Sequence, residues 1–410
     1  MNNLSSLGLI LLFALLAGHL VKFIKFPEVV GYILAGVAVG PSVLGWVSYE
    51  NLDTLDVFSE VALGLILFSI GSIFEFRRVL DVGPKVLQVT LLESLLAAVL
   101  VTAVMLFLGQ SWQVSFLLGS IAMATAPAST LMVIRESNAK GPLTDTLLGV
   151  IGINNILCLT AFTLVASIID LTNSLGTEEV SGLAGVAMSL YRSIYPLIWQ
   201  LLGSAALGFL VGLMLASWAT HVHEHGEMLI LLTGSVLLVV GVAQLLDLST
   251  LVASLAVGAT MVNLSAHSRR LFHAMASSDP PFYAIFFVIA GADLELGLLR
   301  TMGTLGLIYV VARAIGKIGG ASIGARRVGL GQSVQNLLGF SLIAQAGLAI
   351  GLTLTVNNRY PDLAPAVATV VLAAVTISEL IGPIATRLVL HKSGEAQPPE
   401  EVDLLERPFG

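Results

Sequence analysis

The chain has 410 residues, 56% of them apolar and only 11% charged, with 40 glycines and a mean hydropathy of +0.94. That composition excludes a water-soluble globular protein and defines an all-α polytopic membrane protein with the lipid bilayer as its solvent. The net charge of −7 leaves no basic face for nucleic acid, and the single Cys158 excludes a disulfide framework or a thiol pair for redox or metal chemistry.

Hydropathy predicts about thirteen spans in chain order: 4–24, 28–47, 57–75, 86–109, 113–135, 145–170, 188–218, 227–246, 248–265, 282–299, 302–325, 335–356 and 364–391. The first is no cleavable signal, because no small-residue cleavage site follows and Lys22 and Lys25 stand at its far end. With the N-terminus outside, the inner segments collect fourteen of the nineteen basic residues, Lys22, Arg135 and Arg387 among them. The acidic stretches 50–56 and 170–179 then fall outside. The expectation is a multi-pass protein of the inner (plasma) membrane with a cytoplasmic C-terminus.

If spans one to six repeat as eight to thirteen, with 188–218 as a connector, the halves form two inverted repeats, as in many secondary transporters. Spans five and twelve then correspond, and each carries a polar break: Thr125-Ala126-Pro127-Ala128-Ser129 in one, Gln345-Ala346-Gly347 in the other. Proline removes a backbone donor and clashes with the preceding turn, which frees carbonyls near Ala122 to Ala124 to bind an ion. A kink in a packed helix explains one such break, but not two at matched positions.

Span six reads Gly152-Ile153-Asn154-Asn155-Ile156, with the amides about ten residues in from Asp145. At ~1.5 Å per residue this is ~15 Å deep, near the bilayer midplane, where polar groups need a cavity, an ion or a partner. Span eleven carries Arg313 and, four residues later on the same helix face, Lys317. Two carboxylates can balance them, Glu93 in span four and Glu379 in span thirteen.

Phe26-Pro27-Glu28-Val29-Val30-Gly31-Tyr32-Ile33-Leu34-Ala35-Gly36, with Gly40-Pro41, closely resembles the second-helix signature of the monovalent cation:proton antiporter superfamily. Leu63 to Gly71, Phe286 to Gly291, Gly316-Lys317 with Gly320, Gln345 to Gly351 and Glu379 to Pro383 resemble its other landmarks, in order, over residues 1–392. The resemblance implies an antiporter elevator fold with two broken, crossing helices, and a homodimer. It also implies a dimerisation part, about 1–75 and 227–299, and a sliding core, about 86–170 and 302–392.

The chain departs from that pattern where the ion should bind. Thr125-Ala126-Pro127 replaces the usual Thr-Asp-Pro, and Asn154-Asn155 stands where the second residue is the superfamily's exchanging aspartate. An amide can offer a carbonyl oxygen to a cation but cannot titrate. Lys317 matches the superfamily's lysine, whose usual aspartate partner is missing.

The reading is a secondary active transporter that moves a small monovalent ion against protons, with no enzymatic activity, cofactor or metal centre. Thr125, Asn154, Asn155, Arg313, Lys317 and Gln345 form the ion site, and Glu93 or Glu379 couples the proton, with Glu93 preferred. The alternatives are an anion transporter built on Lys317, Arg313 and the amides, or a non-transporting membrane sensor. His221, His223 and His225 read as a solvated loop, His19 as a buried packing residue, and Asp293 with Glu295 as a water-exposed mouth. The tail 393–410 is short and acidic.

Overall fold

In a bilayer every backbone N–H and C=O must be satisfied within the protein, and this chain meets the requirement with helices. The structure, a computed structural model, describes residues 3–71, 76–175, 198–222, 224–265, 268–294, 296–297 and 303–397, together with Tyr191 and Tyr195. The first part of the connector, His223, Glu295 and the tail beyond 397 lie outside the described residues. Among the described residues there is no strand.

In order the helices are α1 (Asn3–Phe23), α2 (Glu28–Val39), α3 (Tyr49–Gly71), α4 (Phe76–Phe107), α5 (Trp112–Ala122), α6 (Pro127–Glu136) and α7 (Pro142–Leu175). A π turn (Trp199–Gly203) leads into α8 (Ser204–Trp218), followed by α9 (His225–Leu245), α10 (Thr250–Leu264), α11 (Ser268–Ala292) and α12 (Gly303–Arg327). Then come α13 (Gln332–Leu337), a 3₁₀ turn (Leu338–Leu342), α14 (Gly347–Arg359) and α15 (Ala364–Ser393). Among the described residues, eight helical segments are long and apolar enough to cross a bilayer, α5 and α6 together counting as one. A ninth is the pair on either side of the second break, bent by 44°. Glu28–Val39, Val57–Gly71, Thr250–Leu264 and Pro280–Ala292 are shorter apolar helices.

Two apolar clusters hold the helices together. The smaller joins Leu65 and Phe68 of α3 to α8, α9, α10 and the first half of α11. The larger runs through α1 to α7 and α11 to α15. Within one chain His19 lies exposed on α1, its ring nitrogen 3.0 Å from the Leu15 carbonyl one turn back. The apolar run around it predicts a span, but not which face of the span meets protein.

Among the described residues the most extensive helix contact is that of α4 with α12. Gly316, Gly320 and Gly324 recur every four residues and so share one face of α12. A Cβ at Gly316 would lie 2.5 Å from the Cα of Ala97, one at Gly320 2.5 Å from the Cα of Glu93, and one at Gly324 2.9 Å from the Cα of Val89. The backbones therefore touch, as small-residue stripes permit in membranes. This contact brings Lys317, one residue beyond Gly316, beside Glu93.

The ends of the core helices are tied by charges distant in sequence. Glu395, just past the left-handed Gly394 that ends α15, accepts hydrogen bonds at 2.8 Å from the N–H groups of Leu143 and Thr144 and thereby caps α7. Glu136 at the end of α6 accepts from the Glu28 N–H at 2.9 Å and pairs with Arg387 at 3.1 Å. At the opposite end, Asp170 pairs with Arg359 and accepts from the Tyr360 hydroxyl at 2.7 Å. Burial, and then that hydrogen bond, raise the Tyr360 pKa above its ordinary value. Replacing Gly320 by leucine should force α4 from α12, at a cost of ~1–3 kcal/mol or more for overpacking. Thermal unfolding of the purified variant in detergent measures the loss.

Candidate functional site

Span five breaks because proline cannot donate the next helical hydrogen bond. Pro127 takes the first position of α6, where a proline costs nothing. Residues Met123 to Ala126 unwind before it. Ile343 to Ala346 unwind in the same way between the 3₁₀ turn and α14. The two breaks meet: the Ala126 N–H donates to the Ala344 carbonyl at 3.0 Å.

The carbonyls freed by the breaks are not empty. Arg313, 1% exposed, donates from Nε to the Ala122 carbonyl at 3.1 Å and from one terminal nitrogen to that of Ile343 at 2.6 Å. Its other terminal nitrogen reaches the carbonyls of Ala124 at 2.6 Å and Ala344 at 3.3 Å. One guanidinium thus staples both breaks, using its fixed fork of donors. Gln345 adds its amide, which donates to the Ile121 carbonyl at 3.0 Å and approaches the Tyr309 hydroxyl at 3.4 Å. The carbonyls expected to hold a transported ion are therefore bonded to the protein's own side chains.

Lys317 completes the arrangement. Fully buried, it donates to the Met123 carbonyl and, at 2.9 Å, to the Thr125 hydroxyl, and it pairs with Glu93 at 2.9 Å. Ser94 donates to the same carboxylate at 2.8 Å. The Asn154 amide donates to Glu93 at 2.6 Å and to Ser94 at 2.8 Å. Glu93 is thus held by an ammonium, a hydroxyl and an amide, the set of donors that makes a buried carboxylate tolerable.

Asn155, 3% exposed, makes only a long 3.5 Å contact from its oxygen to the Thr125 N–H. Glu379 is in a different condition. It is 5% exposed, and among the described residues neither of its oxygens has a hydrogen-bond partner. It borders a cavity of about 40 Å³ that is also lined by Thr125, Ala126, Pro127, Ala346, Gly347 and Phe287. Both half-helix N-termini, of α6 and of α14, end at this cavity.

Seven of the eight residues singled out in the sequence thus form one network around the breaks, and Glu379 borders the cavity beside it. Ser94 was not anticipated, although it is adjacent to Glu93. Tyr309 was missed as well, its one signal being a place one helical turn before Arg313. The backbone ligands of Arg313 carry no residue signature at all.

A helical membrane protein with two unwound helices meeting at a buried ion pair has the architecture of a secondary transporter. The profile of the family described as "Sodium/hydrogen exchanger, transmembrane" matches residues 8–392. The ammonium/H⁺ antiporter subunit AmhT of Alkalihalophilus pseudofirmus is 26% identical over 350 residues, 85% of each chain. Two structures of the sodium proton antiporter MjNhaP1 from Methanocaldococcus jannaschii share the fold, with TM-scores of 0.67 and 0.74 at 17% and 16% identity. They cover 95% and 96% of this chain and 98% of theirs. The chain belongs to the sodium/hydrogen exchanger family, whose members are membrane antiporters and not enzymes.

Removing one partner of the buried pair should be costly and removing both should not. Lys317→Gln strands the Glu93 carboxylate and is expected to lose ~3–5 kcal/mol, whereas Lys317→Met with Glu93→Leu should recover most of it. A double-mutant cycle on unfolding in detergent reads the difference.

Proposed function

We propose that the protein exchanges a monovalent cation for protons across the inner (plasma) membrane, by alternating access around the crossed breaks. The observation that carries this reading is the charge arrangement at the breaks. Arg313 and Lys317 are consumed by carbonyls and by Glu93, so among the described residues no cation borders the cavity, and the ionisable side chain on its wall is a carboxylate. A site of that sign attracts cations and opposes the anion alternative. A sensor would have no use for two unwound helices at the midplane.

In this reading the protein is a homodimer. Residues 1–75 and 227–299 form its fixed part, and residues 86–170 and 302–392 move past them as an elevator, the N-terminus lying outside. The names of the relatives support ammonium and sodium as first candidates for the cation.

The test is a proteoliposome assay in which a pH-sensitive dye follows proton movement while Na⁺, K⁺, Li⁺, ammonium and a panel of anions are supplied in turn. Proton flux answering to monovalent cations is expected. Flux with anions alone, or silence toward every ion, would overturn the reading. Because Asn155 contacts the Thr125 N–H, Asn155→Asp places a further carboxylate at the breaks and should alter the pH profile of exchange. A folded variant with the wild-type profile would remove Asn155 from the site.

A further inference from the structure

Four ionisable side chains discussed above lie deep in the helices around the breaks, and three of them are spoken for. Arg313 is consumed by backbone carbonyls, and Lys317 and Glu93 by each other. Glu379 has no such partner, although it is 95% buried by its 5% exposure. A carboxylate in that condition is costly unless it carries a proton or a bound cation. A carboxylate kept only for packing would be expected to find donors, as Glu93 does.

Its placement is enforced by packing. One turn along α15, Gly382 lies flat on the second break, where a Cβ would come 2.5 Å from the Cβ of Ala344. That contact presses α15 against the break and sets Glu379 on the cavity wall, opposite Thr125 and the first residues of α6 and α14. The charged groups of the helices packed against α15 are either engaged elsewhere or, like Asp145, Arg326 and Arg327, exposed at helix ends. Glu136 is with Arg387, Asp170 with Arg359, Glu28 with Lys22, and Arg135 faces Ser69 and the Tyr283 ring. None of the ion pairs found among the described residues includes Glu379.

We propose that Glu379 is the group at which proton and cation exchange, in place of the absent span-six aspartate, while Glu93 is the fixed counter-ion of Lys317. The inference rests on the antiporter reading above. On the side to which the cavity opens, the O–H bond of the Glu379 carboxyl breaks, its proton passes to water, and a monovalent cation takes its place on the carboxylate. On the other side a proton from water displaces the cation. One carboxylate exchanges one proton for one monovalent cation, so transport is electroneutral.

The ligand class follows from the space and the charge. About 40 Å³ accommodates roughly three water-sized positions, hence a largely dehydrated ion with a water or two. A divalent cation would keep an uncompensated charge beside a single carboxylate in an otherwise apolar wall of Leu63, Leu251, Phe286 and Phe287.

The test compares the full-length wild type with Glu379→Gln and Glu379→Asp. Proton release into weakly buffered detergent solution is recorded on adding NaCl, KCl or LiCl, alongside the melting temperature and exchange in proteoliposomes. Wild type should release a proton for each cation bound. Glu379→Gln should fold, release none and exchange none, and Glu379→Asp should release protons with a shifted cation midpoint. The wild-type exchange rate should not respond to an imposed membrane potential. A folded Glu379→Gln that still releases protons, or a wild type that releases none, overturns the assignment. Should Glu379→Gln not fold, an unshifted midpoint in Glu379→Asp overturns it. Wild-type proton release without cation exchange in proteoliposomes would sink the antiporter reading alone, whereas exchange surviving in Glu379→Gln would sink the assignment alone.

Discussion

Everything at the centre of this protein depends on how a helix can be interrupted inside a bilayer. Unwinding Met123 to Ala126 and Ile343 to Ala346 frees carbonyls where no bulk water can reach them, and each unsatisfied group would cost several kcal/mol. Arg313 meets this requirement by donating to four carbonyls drawn from both breaks. A lysine could not, because a single ammonium presents three donors from one point rather than a planar fork. The guanidinium therefore fixes the position of the two breaks relative to each other, and the cavity between them exists because they are held there.

The glycine stripe on α12 does the complementary work. By letting the backbone of α12 touch that of α4, it places Glu93 within reach of Lys317, and that ion pair in turn orients Asn154 and Ser94. Span four supplies the carboxylate that meets Lys317, and span six supplies an amide that donates to it.

Much of this was legible in the sequence because its signals are periodic or stereochemical. Apolar runs mark the helices, Pro127 and Gly347 mark the restarts after each break, and the spacing of Arg313 and Lys317 puts both on one face. Glu93 was one of the two carboxylates that could balance Arg313 and Lys317, and it does meet Lys317. What was not legible depends on contacts far apart in the chain. Glu395 capping α7 and Glu136 reaching the start of α2 join segments more than a hundred residues apart, and no local pattern encodes them. The difference between Glu93 and Glu379 was hidden for a related reason: both are isolated carboxylates in apolar helices, and only the neighbours of each reveal that one is paired and the other is not.

The two kinds of helix end at the breaks are treated oppositely, and this separation gives the site its sign. The C-terminal ends, with their excess of carbonyls, are covered by Arg313, Lys317 and the Gln345 amide. The N-terminal ends of α6 and α14, which carry partial positive charge, open onto the cavity that Glu379 borders. Without that carboxylate, two helix N-termini facing an apolar pocket would favour an anion, as the sequence alone allowed. With it, the dipoles support a negative side chain whose countercharge must come from outside the protein, because Arg313 and Lys317 are already held at the other ends. The anion reading therefore fails because a carboxylate already occupies the helix N-termini, not because of the identity of the amides, and a cation or a proton is the species that can neutralise the site.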